Sequence, residues 1–421
     1  MQNLKGKTVL LLDGTVHMIP ILKRAKELGI KTIIANFYEP EKAKAKFYSD
    51  EFEVIDITNA EEMKNMMLKH HVDGILQGCT DSHLPYYHSL CQIMGFPCYG
   101  TLEQFQLCTD KAKMKNVCRK YGVPVTKEYS ITSFSEEETN NIDFPVITKP
   151  VDGSGSRGFS ICNNLQELKV SYEKAQKYSI SGNVLIEKCM DYKKSVIINY
   201  TAVNGEIFYS GMSDKLSKKV SEDGSPIMAL QFYPSAFEQS FLKETNEKII
   251  SMLKGIGIQN GPIWIEAFYD NNEFIFNEIG YRFGGSLTYL PVEYFTGIKQ
   301  LDLLLEFALT GKNSSMLFDK KSNKEIYCIF PMHLKPGIIK EIKGLDKLCQ
   351  RPELISFVPT HLQGDIIESS GTTQQVFGYI HFKVKTREDA EKFIEWIVDN
   401  LSVTGSLNEQ LLFNIYKDRI N

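Results

Sequence analysis

Two acidic residues twelve positions apart carry the clearest chemical signal in this chain: Glu266 in WIEAFYD (264–270) and Glu278 in FNEIGYRFGGS (276–286). They sit toward the ends of two apolar runs separated by DNNE (270–273), and a tight turn there folds the runs into neighbouring antiparallel strands. Two carboxylates facing one small volume resist joint ionisation unless a cation lies between them. Hard oxygen donors in that arrangement suit magnesium carrying a nucleotide phosphate, with manganese as its near equivalent. Arg282, four residues on, adds a planar fork suited to phosphate or carboxylate. Read alone, the segment fits equally well a hairpin with two exposed acids and an unrelated surface arginine.

A second segment, TKPVDGSGSRGFS (148–160), is a strand that runs into a loop dense in glycine and small hydroxyls. Gly153, Gly155 and Gly158 permit backbone conformations in which successive N–H groups converge on phosphate oxygens, and Ser154 and Ser156 add hydroxyl donors. Lys149 at the strand end supplies a mobile positive charge, and Arg157 could close over it. A flexible hairpin tip has the same composition. No G-K-[ST] follows, so this is not a Walker A loop.

These residues need elements to hold them. The first hundred residues alternate strand-like and helical runs: TVLLLDG (8–14), MIPILKRAKELG (18–29), KTIIANF (31–37), EFEVIDI (51–57), AEEMKNMMLKHH (60–71) and DGILQGC (73–79). That alternation predicts parallel strands with crossover helices, a doubly wound open sheet, with Gly29 and Gly95 as helix caps. The crevice at the strand ends makes Asp13, Thr80, Asp81 and His83 candidate substrate contacts, against a plain reading as turn and capping residues. Further on, helical 111–122 and the apolar strand at 145–149 are followed by strands at 184–189, 195–203 and 206–212, the last two joined by an Asn204-Gly205 hairpin turn. One helix is expected over 240–257 and another over 299–311. The polar stretch 213–226 is expected as a substrate-side loop in which Lys215 holds a carboxylate or is simply solvated. The tail carries strands at 325–334 and 376–384 and a helix at 387–401.

With 421 residues, two to four domains are expected. A net charge of −4 with both signs intermixed argues against nucleic acid or an anionic membrane surface as partner. Nine scattered cysteines without a C-x-x-C pair read as reduced thiols, and no run is apolar enough to span a bilayer, so a cytoplasmic protein is expected.

Taken jointly, the segments resemble the ATP-grasp superfamily, in the branch of carbamoyl-phosphate synthase-like, biotin carboxylase-like and L-amino acid ligase proteins. The resemblance implies an α/β and α+β fold: an N-terminal doubly wound parallel-sheet domain over 1–104, a central ATP-grasp fold of two α+β subdomains over 105–312 with its lid at about 125–190, and a small α+β C-terminal domain over 325–421. It also implies roles. Lys111 in TDKAKMK (109–115) and Lys149 would contact ATP phosphates beneath the lid residues Gly153, Ser154, Gly155, Ser156 and Gly158. Glu187, with Lys188 and Met190 through their backbones, would meet adenine in VLIEKCMDYKKS (184–195). Glu266 and Glu278 fall on the family's magnesium ligands, and Arg282 on the arginine that steadies an acyl-phosphate. Two positions depart from the pattern: Lys194 stands where a ribose-binding glutamate is usual, and Gly280 where a metal-holding asparagine is usual. The implied activity is ATP-dependent ligation of a carboxylate to an amine, forming an amide or peptide bond through an acyl-phosphate. The substrates would be small molecules, and a homodimer is compatible with the pattern. Alternatives are a bicarbonate-using or other-acceptor enzyme and a non-catalytic ATP-binding sensor or scaffold.

Overall fold

The computed structural model describes residues 4–152, 158–219, 226–314, 324–368 and 373–413. At the N-terminus the expected alternation produces four parallel strands in the order Glu51–Val54, Lys31–Asn36, Thr8–Leu11, Gly74–Leu76, with helices Ile19–Glu27, Ala60–Lys69 and Leu84–Met94 between or after them. Gly95 caps the third helix in the left-handed conformation (φ 68°), where a side chain would be strained.

A small antiparallel sheet follows, ordered Ser160–Cys162, Val146–Pro150, Val184–Lys188, with helix Leu165–Tyr178 packed on it. Its own apolar cluster includes Val146, Leu168 and Ile186. The largest sheet begins with the hairpin Glu273–Gly280 and Gly261–Asp270, continues through Ser195–Val203, Glu206–Lys219 and Pro226–Tyr233, and runs on to Ile326–Leu334, Val376–Val384 and Leu354–Pro359. The sheet therefore crosses the stretch at which the sequence reading divides the central from the C-terminal domain.

Local chemistry accounts for the turns. Asn204 and Gly205 both take positive φ (51° and 84°), as do Asn271 and Asn272 (47° and 63°), the conformation of a two-residue turn that matches strand twist. Two expectations need correction. Residues 213–219 are not loop but the second half of strand Glu206–Lys219: strands on both sides satisfy the backbone, and the side chains alternate between the two faces, Lys215 meeting Glu266 and Asp214 meeting Ser235 and Arg387. The single helix expected over 240–257 is two helices, Glu238–Glu244 and Asn246–Gly255, because Thr245 leaves helical geometry at φ −127°.

The N-terminal unit is fastened to the rest of the chain. Arg24 forks onto Asp302 (2.5 and 2.7 Å), Lys44 pairs with Asp365 of the tail, and helix Gln300–Thr310 lies against strand Gly74–Leu76. At Gly74 the approach is close enough that a Cβ would stand 2.1 Å from the Ala308 carbonyl oxygen. One apolar cluster spans both units, with Tyr99, Phe105 and Tyr281 in mutual contact (5.1–5.4 Å between ring centroids).

Candidate active site

The hairpin's register decides where its acids point. From Asp270 opposite Glu273 to Ala267 opposite Phe276 the pairing is regular, but the next pair is Glu266 with Glu278. Asn277 is the extra residue of a β-bulge. Without it Glu266 would oppose position 277 and Glu278 would face the other side of the sheet, since side chains alternate along a strand. The bulge puts both carboxylates on one face, directly across from each other.

Positive charge surrounds that pair. Lys215 Nζ lies 2.6 Å from Glu266 Oε2, Ser195 Oγ donates to Glu266 Oε1 (3.3 Å), and Lys111 Nζ is 4.0 Å from Glu278 Oε1. Lys111 occupies the first turn of helix Lys111–Lys120, whose start is capped by the Asp110 carboxylate. The Asn277 amide bridges onward, 3.5 Å from Glu266 Oε1 and 3.5 Å from Lys149 Nζ. Two hard carboxylates facing each other on one face fit a divalent cation. Among the described residues no cluster of three or more His, Cys, Asp or Glu side chains converges as a metal site, so phosphate oxygens would fill the rest of such a shell.

Lys149 also pairs with Glu187 (2.8 Å), which is fully buried and bonded by Lys115 as well. Burial alone would raise the Glu187 carboxyl, but Lys149 and Lys115 outweigh it and hold the group below its usual range. Lys115, itself fully buried, also donates to Thr126 Oγ1 (2.5 Å). Lys115 is absent from the sequence-based site, although its i,i+4 spacing from Lys111 on one helix face was a usable signal.

Beyond Glu278 the chain reaches Arg282, whose Nε donates to Asp81 Oδ1 (2.7 Å) while a terminal nitrogen bonds the other carboxylate oxygen. Burial opposes the Arg282 charge, and Asp81 more than restores it. Tyr281 anchors this stretch, its hydroxyl lying 2.6 Å from both the Tyr99 and the Asn260 carbonyl oxygens and able to donate to either. Asp13 accepts from Thr80 Oγ1 (2.8 Å) and the Thr15 N–H (2.8 Å), and burial holds nearby His17 below its ordinary range. Arg282 therefore meets the C-terminal ends of the N-terminal strands, at the crevice expected to hold substrate.

Not every expected residue joins this cluster. Gly153, Ser154, Gly155 and Ser156 lie outside the described residues, whereas Gly158 is described, at φ 74° between Pro150 and Tyr178. Lys188 directs its ammonium to the Asp143 carbonyl (2.9 Å), and its N–H donates to Lys127 (2.9 Å). Met190 is half-buried just past that strand, and Lys194 is exposed at the end of the turn Tyr192–Lys194.

Residues 116–287 match the ATP-grasp domain family. The formate-dependent phosphoribosylglycinamide formyltransferase of Wigglesworthia glossinidia brevipalpis is 26% identical over 266 residues, covering 61% of this chain and 64% of that protein. The 2-oxoglutarate carboxylase small subunit of Hydrogenobacter thermophilus is 30% identical over 193 residues, 42% of this chain and 41% of that one. These matches thus span less than two thirds of either relative. Among solved structures, an L-amino acid ligase from Bacillus licheniformis superposes with a TM-score of 0.76 at 19% identity, covering 96% of this chain and 99% of that one. The biotin carboxylase domain of the Hydrogenobacter thermophilus 2-oxoglutarate carboxylase gives 0.77 at 18% identity, with 96% and 91% covered. At these identities the shared property is the mixed α/β fold, with a parallel N-terminal sheet and antiparallel sheets after it.

Proposed function

From the ATP-grasp domain that this chain carries, we propose that the protein is an ATP-dependent ligase that joins a small-molecule carboxylate to an amine through an acyl-phosphate. The observation that carries this reading is one cluster of charged side chains: Glu266 opposite Glu278, Lys111 beside Glu278, Lys149 reaching the pair through Asn277, and Arg282 further along at the crevice of the N-terminal sheet.

Phosphoryl transfer asks a protein mainly for positioning and charge neutralisation. Lys149 and Lys111 would hold the phosphate oxygens of ATP. Glu266 and Glu278 would hold magnesium, which when bound neutralises phosphate charge. Arg282, oriented by Asp81, would bind the carboxylate and its acyl-phosphate, and Asp13 and Thr80 would shape the acceptor side of the crevice. The carboxylate oxygen attacks the terminal phosphorus, the bond to ADP breaks, and the amine then displaces phosphate; no protein nucleophile is required. The L-amino acid ligase neighbour supports an amine acceptor, while the biotin carboxylase domain neighbour, solved with ADP and bicarbonate, supports bicarbonate as the alternative substrate. The substrates and a cytoplasmic homodimer form part of the same proposal.

Hydroxylamine trapping over a panel of amino acids and small carboxylates with magnesium and ATP tests it. A hydroxamate formed with equimolar ADP is expected, and Glu278→Ala should abolish it while circular dichroism stays unchanged. ATP binding without turnover across the panel would sink the ligase reading, and turnover only with bicarbonate would favour the alternative.

A further inference from the structure

Next to the Glu266–Glu278 pair, the following positions on the same face are Trp264 and Gly280, which are directly opposite each other. Gly280 is not in a left-handed conformation, so backbone freedom does not explain a glycine there. Space does: a Cβ at 280 would stand 2.2 Å from Trp264 Nε1 and 2.4 Å from Cε2. The indole occupies the volume that a side chain at 280 would need. Its N–H is buried and has no hydrogen-bond partner among the described residues, a costly state for a donor. The same ring carries the Arg282 guanidinium 5.2 Å from its centroid.

An indole N–H only donates, so it cannot ligate a metal; what it can meet between two carboxylates and an arginine is an anionic oxygen. Resting on the ligase reading above, we propose that Trp264 is a substrate-binding residue, its N–H donating to an oxygen of the transferred phosphoryl group or of the carboxylate that receives it, and that Gly280 exists to admit the ring. The indole then binds the anion directly, with Arg282 beside it.

The chain has two tryptophans, and the other, Trp396, stacks on Phe393 in the C-terminal unit. Trp396→Phe therefore leaves Trp264 as the sole indole fluorophore. With MgADP present, inorganic phosphate and acetate are titrated separately into this variant. A saturable emission change with phosphate assigns the phosphoryl oxygen, and one with acetate assigns the acceptor; no change with either overturns the proposal. In the otherwise wild-type protein, Trp264→Phe should weaken the responding anion roughly 10-fold or more by calorimetry, the loss of one hydrogen bond to a charged group, with MgADP affinity held within about twofold. Equal loss of both affinities would mean a structural role and reject it. Gly280→Ala should impair folding alone and be tolerated beside Trp264→Leu; tolerance of Gly280→Ala alone would refute the steric part. Failure of the wild-type protein to bind MgADP would instead overturn the ATP reading itself, and with it this one.

Discussion

Glu187→Gln tests the buried charge cluster most directly. The carboxylate lies at zero exposure between Lys115, also at zero, and Lys149, at 12%. Replacing it with an isosteric amide preserves shape and one acceptor but takes away the buried counter-charge of Lys115, leaving that ammonium only the partly exposed Glu128 carboxylate at 3.3 Å. Removing one partner of a buried pair costs roughly 3–5 kcal/mol, and the retained acceptor places this case near 3. The strand involved, Val184–Lys188, belongs to a three-stranded sheet with a small core, so the loss should appear as local opening. About 3 kcal/mol corresponds to roughly 100-fold faster amide exchange across 184–188, readable by hydrogen exchange with mass spectrometry. A double variant, Lys115→Met with Glu187→Leu, removes both fully buried charges and should recover most of that protection. Exchange in Glu187→Gln within threefold of wild type would refute the reasoning, because the lysines would then not depend on the carboxylate.

Acid should loosen the C-terminal half of the large sheet. Burial pushes His333 down to about 4 from 6.5 and His381 to about 3, so the unfolded chain binds protons that the folded chain does not. Stability is then full above about pH 6.5 and falls as pH drops toward 4, by roughly 3 kcal/mol from His333 alone. Denaturant melts of wild type and His333→Leu between pH 7 and 4 check this: the variant should show the shallower pH dependence, and identical slopes would contradict it. Gly74→Ala should force strand Gly74–Leu76 away from the Ala308 carbonyl and cost about 1–3 kcal/mol, seen as faster proteolysis between the N-terminal unit and helix Gln300–Thr310. Unchanged proteolysis would show that the helix shifts freely.

Much of the architecture was legible because it rests on local rules. Periods of apolar residues, Asn-Gly and Asn-Asn turns and glycine caps act over a few residues, and the parallel N-terminal sheet, both hairpins and the Gly95 cap follow from them. The segment 213–219 was misread because its polarity resembles a loop. Only pairing along its whole length with the preceding and following strands makes it a strand, and the next strand over, Gly261–Asp270, brings Glu266 to Lys215.

The residue types of the candidate site are written in the chain: two glutamates, lysines at 111 and 149, and an arginine four positions past the second acid. Their meeting is not. A regular two-residue hairpin would send Glu266 and Glu278 to opposite faces, and the Asn277 bulge reverses that by one residue of register. Lys115 reads as a surface lysine until burial against Glu187 reveals it, and Gly280 reads as a missing ligand until the Trp264 ring fills its place. Side-chain chemistry and local turn preferences are properties of short segments, which the sequence determines by itself. Facing, burial and charge partnership depend on contacts between segments far apart in the chain, and only the tertiary structure decides those.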